Sequence, residues 1–328
     1  MRAVLSRPEV GAVVGTVAVF VFFAIVAGDR GFLTSDALLN YSEVAAEVGI
    51  LASAVALLMI AGEFDLSVGS MIGFAGMAFA IMVTEYGFSL GVAFPITLLL
   101  AGLIGALNGA IVVRTRLPAF IVTLAALFIL RGLTIAVTGI VTDRTQVNGV
   151  TDAVEGDFLL PILTGTVLGA PIEVAWWLLL TVVASLVLWK TQFGNWIFAV
   201  GGDEESARNV GVPIARVKIT LFVCTALAAG LAAVLVSLSS GSADVLRGEL
   251  KEFQAIAATV IGGTLLTGGY GSPIGAAFGA LIFGMVSQGI FFTGVEADWF
   301  QVFLGAMLLG AVMVNEYARR RIVASAER

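Results

Sequence analysis

The polar residues of this chain are few, and their types and spacing suit recognition better than bond-making. The densest group is Asp203-Glu204-Glu205-Ser206-Ala207-Arg208, with Gly201 and Gly202 before it and Gly211 and Pro213 after it. Asp203 is a natural N-cap, and Glu204 and Glu205 then occupy a first turn, where the helix dipole favours anions. Gly201 and Gly202 permit a sharp turn into this short helix. Gly211 ends it as a left-handed stop, and Pro213 blocks continuation. Such a capped helix suits docking to a partner, or it is an ordinary solvated connector. A second group, Glu63, Asp65 and Ser67, stands in Gly62–Ser70 between apolar runs. Asp65 or Ser67 is placed to cap a helix entered at Val68, or to meet a solute or partner. Arg131 stands alone among apolar neighbours, either snorkelling to an interface or facing a polar interior path. Asn108 in Gly105–Gly109 either lines such a path or holds helices together across Gly-rich contacts. Gly230, Gly275, Gly279 and Gly284 read as close-packing positions.

Catalysis has little to work with. The chain holds no His and a single Cys, Cys224. That excludes His-based acid–base chemistry, an internal disulfide and a His- or Cys-rich metal site. There is no G-x-x-x-x-G-K-[ST] loop to cradle a phosphate, and Gly262–Gly269 lacks the strand–helix context of a dinucleotide fingerprint. The net charge of −6 comes with no basic patch, so nucleic acid is not an expected partner. No enzyme activity, metal or cofactor is expected on this chain.

The elements that must position these residues are membrane helices. Of 328 residues 59% are hydrophobic and 12% charged, with a mean hydropathy of +1.05. A soluble domain carries about 25% charged residues, so this chain cannot cover itself with a water-compatible surface. A helix needs about 20 apolar residues to cross a bilayer. On that measure the sequence predicts about ten spans in an all-α polytopic fold: near 10–27, 44–61, 68–84, 89–113, 118–138, 174–189, 217–239, 253–268, 273–292 and 298–316. The second, third and eighth are short and interrupted, which leaves room for a re-entrant or broken span. The first run is read as a retained helix, for want of a cleavage site.

Lys and Arg set the orientation. With the N-terminus inside and strict alternation, most cations fall inside, from Arg2 and Arg7 through Arg114, Arg116, Lys190, Arg208, Arg216 and Lys218 to Arg319–Arg321 and Arg328. Arg30, Arg144, Arg247 and Lys251 fall outside. Both termini and the 190–218 segment are thus expected in the cytoplasm, with 139–173 outside, either carrying a short amphipathic piece or, as its poor helical periodicity favours, forming a solvated loop. A faint echo links Gly69-Ser70-Met71-Ile72-Gly73-Phe74-Ala75 with Gly271-Ser272-Pro273-Ile274-Gly275-Ala276-Ala277, as internal repeats do in some transporters or as small residues recur by chance.

Four motifs in order carry a resemblance to a known family. They are Gly62-Glu63-Phe64-Asp65-Leu66-Ser67-Val68-Gly69-Ser70, Leu117–Leu124 followed by Arg131-Gly132, the stretch from Ala199 to Val212, and the stretch from Ala258 to Ser272. They resemble the permease subunits of ribose-type bacterial ABC importers across roughly residues 60 to 275, departing at Glu63, where a small or apolar residue is common. The resemblance implies a single permease domain over 1–328 in the bacterial inner membrane, moving a sugar or sugar-like solute into the cytoplasm. It implies that 190–218 is the coupling segment docking on a separate ATPase subunit, with Gly201, Gly202, Asp203, Glu204, Glu205, Ser206, Ala207, Arg208 and Gly211 at the contact. It also implies a periplasmic binding protein, a second permease copy (identical or a close paralogue), and ATP and Mg held by the ATPase alone. Asp65, Ser67, Asn108, Thr123 and Arg131 are the candidate path residues. The competing function is a stand-alone secondary transporter. That reading needs an ionisable group within the membrane, and the sequence offers no clearly buried carboxylate to couple an ion gradient.

Overall fold

The computed structural model describes residues 8–296 and 299–326, with side chains described over 9–296 and 299–313. Arg2, Arg7 and Arg328, which contribute to the expected orientation, lie outside the described residues. The helices are α1 Pro8–Ala27, α2 Ser35–Ile60, α3 Val68–Thr84, α4 Leu90–Thr115, α5 Ala119–Thr142, α6 Leu160–Thr164, α7 Ile172–Lys190, α8 Gln192–Gly202, α9 Glu204–Asn209, α10 Ile214–Ser239, α11 Lys251–Ile261, α12 Pro273–Thr293 and α13 Trp299–Ala326. Every expected span meets a helix. Among the described residues seven helices, namely α1, α2, α4, α5, α7, α10 and α12, are long and apolar enough to cross a bilayer. Val68–Thr84 and Trp299–Met313 are apolar but shorter.

The expected span at 253–268 is corrected. α11 stops at Ile261, and at 1.5 Å per residue its 11 residues cover only about 16 Å, half a hydrocarbon core. Gly262–Gly271 continues as irregular backbone with positive φ at Gly263, Gly268, Gly269 and Gly271. Such backbone is tolerated at membrane depth only where protein buries it or water reaches it. Here it is packed in: Leu265 N–H donates to Tyr270 O at 3.1 Å, and Gly269 N–H donates to Ile60 O at 2.8 Å.

Sequence chemistry accounts for the helix ends. Thr34, Thr191, Asp203 and Ser272 each cap a helix start by accepting a backbone N–H. α12 stops at the left-handed Gly294. Missing side chains set the helix contacts, as in other membrane bundles. A Cβ on Gly105 would stand 2.5 Å from Phe222 O, one on Gly284 2.3 Å from Tyr41 O, and one on Gly279 1.9 Å from Ala258 O. These glycines bring α10 onto α4, α12 onto α2 and α11 onto α12. The largest buried cluster is drawn chiefly from α2, α3, α10, α11 and α12. By contrast α5 and α7 leave large apolar side chains such as Phe128, Ile140, Leu178 and Val182 exposed.

The expected solvated loop at 139–173 is folded instead. α5 runs on to Thr142; strand β1 (Gln146–Asn148) follows, then a single 3-10 turn at Asp152–Val154, the short α6, and the hairpin β2 (Thr166–Val167) with β3 (Ala170–Pro171). β1 pairs antiparallel with β4 (Ser242–Asp244), Val147 opposite Ala243. Val147, Val150, Val154 and Leu163 are buried against the bundle. Buried apolar residues at irregular spacing, rather than helical periodicity, hold this segment. The sequence echo is only partly mirrored: both copies open a helix, but Gly69 lies inside α3 whereas Gly271 precedes α12.

Candidate functional site

At the end of the bundle that holds residues 190–218, the polar groups form two linked clusters. The first is α9 and its attachments. The Asp203 carboxylate accepts the Ser206 N–H at 2.6 Å; hydrogen bonding to the Ser206 side chain first, and to this N–H second, holds its pKa below the usual aspartate value. Ala207 is the buried residue of α9. Gly211 has φ +85°, as its role as a stop requires, and Pro213 stands at the N-cap of α10. Glu204 takes Arg208 at 2.8 Å and Lys218 at 2.7 Å, and Lys218 also pairs with Glu63. The Lys218 hydrogen bond is the largest influence holding Glu204 below the ordinary glutamate pKa. Glu63, the departure from the family pattern, thus has a specific partner. It joins the turn after α2 to the helix α9 through one ammonium group.

Two expectations for this segment need correction. Gly201 and Gly202 do not make a sharp turn; they are the last residues of α8. Gly201 is instead a close-approach position, since its Cβ would stand 1.7 Å from Ile60 O, while a Cβ on Gly202 would meet nothing within 4 Å. The segment is also two helices rather than one loop. α8 was not read as a span because its 11 residues, though mostly apolar, are too few to cross a bilayer; Ile197 and Val200 are buried against α2 and α10.

Beside α9 a cleft of about 800 Å³ is lined by Glu63, Arg116, Glu204, Arg208, Arg216 and Lys218 over an apolar floor that includes Val112, Leu117 and Ile214. It can receive a partner surface carrying both carboxylate and apolar groups.

The second cluster is buried. Asp65 is 1% exposed and accepts the Ser67 N–H at 3.0 Å, the Ser67 hydroxyl at 2.6 Å and the Thr225 hydroxyl at 2.6 Å. Asn108 Nδ2 donates to Ser67 Oγ at 3.1 Å, and Leu66 N–H donates to Thr123 Oγ1 at 3.1 Å. Neither Asp65 nor Ser67 caps α3 by its side chain; Asp65 bonds its own turn and reaches across to α10. The knot therefore brings together Asp65, Ser67, Asn108 and Thr123 from the turn, α4 and α5. Thr225, 160 residues from Asp65, carried no signal in the sequence. Arg131 stands apart, 3.3 Å from Glu249, with its side chain 24% exposed.

The expectation that no carboxylate is buried fails. Asp65, Glu173 and Glu252 are 1%, 5% and 2% exposed. Burial of acids therefore does not separate the competing transport classes, and family membership must.

The sequence matches, over residues 37–312, the family described as the branched-chain amino acid transport system / permease component. It is 30% identical to the xylose transport system permease protein XylH of Escherichia coli K12, over 93% of this chain and 91% of that protein. It is 30% identical to the ribose import permease protein RbsC of Haemophilus influenzae, over 92% of each. It is 32% identical to the inner membrane ABC transporter permease protein YjfF of Escherichia coli K12, over 85% of this chain and 83% of that one. No solved structure matches. Membership brings an ATPase and a substrate-binding protein as partners and a multi-pass place in the inner membrane. The chain belongs to this family of ABC importer permease components, within its ribose-type branch.

Proposed function

We propose that the chain is the membrane subunit for import of a monosaccharide, a pentose first among candidates. A periplasmic binding protein delivers the solute, and ATP is hydrolysed on a separate subunit seated at α9 and its cleft. The supporting observation is the match over nearly the whole chain to permeases named for xylose and ribose. The geometry of α9 adds to it. A short helix fixed by a cap, an ion-pair pivot and the packing of Ala207 can transmit a partner's movement, as a loose connector cannot. In this reading Gly201, Asp203, Glu204, Glu205, Ser206, Arg208 and Gly211 shape or contact the docking surface, with two copies of the chain or a close paralogue completing the membrane unit. The knot around Asp65 keeps the α2–α3 turn rigid behind that surface. The test is reconstitution in proteoliposomes with the ATPase and binding protein of the same system, measuring ATP-dependent uptake of labelled xylose and ribose. Uptake that needs all three components supports the proposal. Uptake by this chain alone, driven by an ion gradient, would sink it.

A further inference from the structure

Residues 245–251 were expected as an outside connection, yet they descend into the bundle. At their start Val245 N–H donates to Thr145 O at 3.1 Å, just beyond the end of α5. By Gly248 the chain lies against α3: a Cβ there would come 2.3 Å from Gly69 O and 2.8 Å from Ile72 Cβ. Gly248 and Leu250 take φ of +93° and +64°, which turns the backbone into α11. Two ion pairs then fix the depth. Glu249 holds Arg131 at 3.3 Å, and Lys251 holds Glu47 at 2.7 Å. Arg131 is about 18 Å from the start of α5 and about 17 Å from its end. Glu47 stands about 18 Å into α2 but only about 5 Å inside the apolar stretch expected at 44–61, and Arg131 about 10 Å inside the end of the stretch expected at 118–138. The segment therefore enters the apolar layer from the end of the bundle that holds residues 139–173.

These charges are not sealed in. The side chains of Glu249, Glu47, Lys251 and Arg131 are 51%, 29%, 25% and 24% exposed. Charge within the apolar layer does not face hydrocarbon stably, so the face on which they open meets water or a polar surface. Beside them Glu252 is buried against Gly69, with a carboxylate oxygen that has no hydrogen-bond partner. Within each pair the opposite charges cancel, while the ammonium and guanidinium groups donate and the carboxylates accept. That chemistry matches an uncharged solute rich in hydroxyls.

We infer that Glu249 and Lys251, with Arg131 and Glu47, form a collar on a water-filled passage within the apolar layer, through which a polyhydroxylated solute moves. The inference rests on the transport reading above and assigns it a place. The collar lies on α2, α5 and the descending segment, away from the sealed knot around Asp65.

The test uses the full chain in membrane vesicles with Cys224→Ser as background. Glu249→Cys and Arg131→Cys are exposed to a small, charged methanethiosulfonate that does not cross lipid. Ile129→Cys, at the same depth on the other side of α5 and 59% exposed, is the lipid-facing reference. Either collar cysteine should react at least tenfold faster than the reference. Equal, slow reaction at all three positions overturns the collar. So does disulfide linkage of Glu249→Cys between two copies without labelling, which would make this face a closed contact. If the collar cysteines label quickly while the unmutated system imports neither xylose nor ribose, the passage stands and the sugar assignment fails.

Discussion

Two interruptions in the membrane helices treat polar groups in opposite ways. The turn Gly62–Ser67 before α3 hides an acid completely and gives it three donors, from Ser67 twice and Thr225 once. The descent 245–251 before α11 leaves Glu249 half exposed and pairs it through one contact of 3.3 Å. In a bilayer both need a reason, because lipid satisfies no hydrogen bond. The first is satisfied internally and stiffens a junction of α3, α4, α5 and α10. The second is only partly satisfied, so it depends on water or solute outside the protein. Polarity within a membrane chain thus has two uses, and exposure tells them apart.

Breaking the sealed side should have the largest effect. Asp65→Ala removes an acceptor from two hydroxyls and a backbone N–H, all buried. Leaving a buried donor without its acceptor costs about 1–3 kcal/mol each, so with three such donors a loss of at least about 3 kcal/mol is expected. Thermal aggregation in detergent should show little folded protein surviving. Survival near the unmutated temperature would mean the knot is not a structural junction. Glu249→Gln, on the open side, should leave the same measurement almost unchanged. If it destabilises as much as Asp65→Ala, the contrast between the two interruptions collapses.

Adjacent glycines sharpen the comparison at the 190–218 end. Gly201→Val drives a side chain into the Ile60 carbonyl and should cost about 1–3 kcal/mol, as overpacking does. Gly202→Ala meets open space and should be neutral or slightly stabilising. The difference between the two melting temperatures is the measurement, and equal shifts would contradict the close approach.

The smallest effect belongs to the cap. Asp203→Ala should speed amide hydrogen exchange across Ser206–Asn209 while leaving global melting unchanged. The folded-state pKa of Asp203 lies below its ordinary value of 3.8. The cap's stabilisation is therefore complete above that ordinary value and fades as pH falls through the lower one. Exchange that is equally fast with and without the cap at neutral pH would remove Asp203 from this role.

What the sequence made legible follows from the range of each interaction. The Asp203 cap, the Gly211 stop and the Pro213 break act over a few residues, and all three stand where their side-chain chemistry puts them. The long helices follow from hydropathy for the same reason. Gly201 and Gly202 were misread because a pair of glycines suggests freedom, whereas here one serves contact with a residue 141 positions away and the other ends a helix. α11 was drawn too long because composition cannot distinguish apolar helix from apolar irregular backbone. The descent of 245–251 left no trace either, since Lys251 and Glu47 are 204 residues apart. Glu63 was visible as an oddity, but only the fold supplies Lys218.

The meeting of Ile60, Gly201 and Gly268-Gly269 has a mechanical consequence. Cβ positions built on Gly268 and Gly269 fall 2.8 Å and 3.3 Å from Gly201 O, and Gly268 also abuts Gly62. With no side chains between them, three backbone segments touch without a cushion. α8 extends from that point as an arm about 16 Å long, with α9 at its near end beside Lys218. With no soft layer in which a push on α9 could dissipate, this contact has the geometry of a fulcrum, through which displacement on one side would be passed to α2 and to the irregular stretch leading to α12.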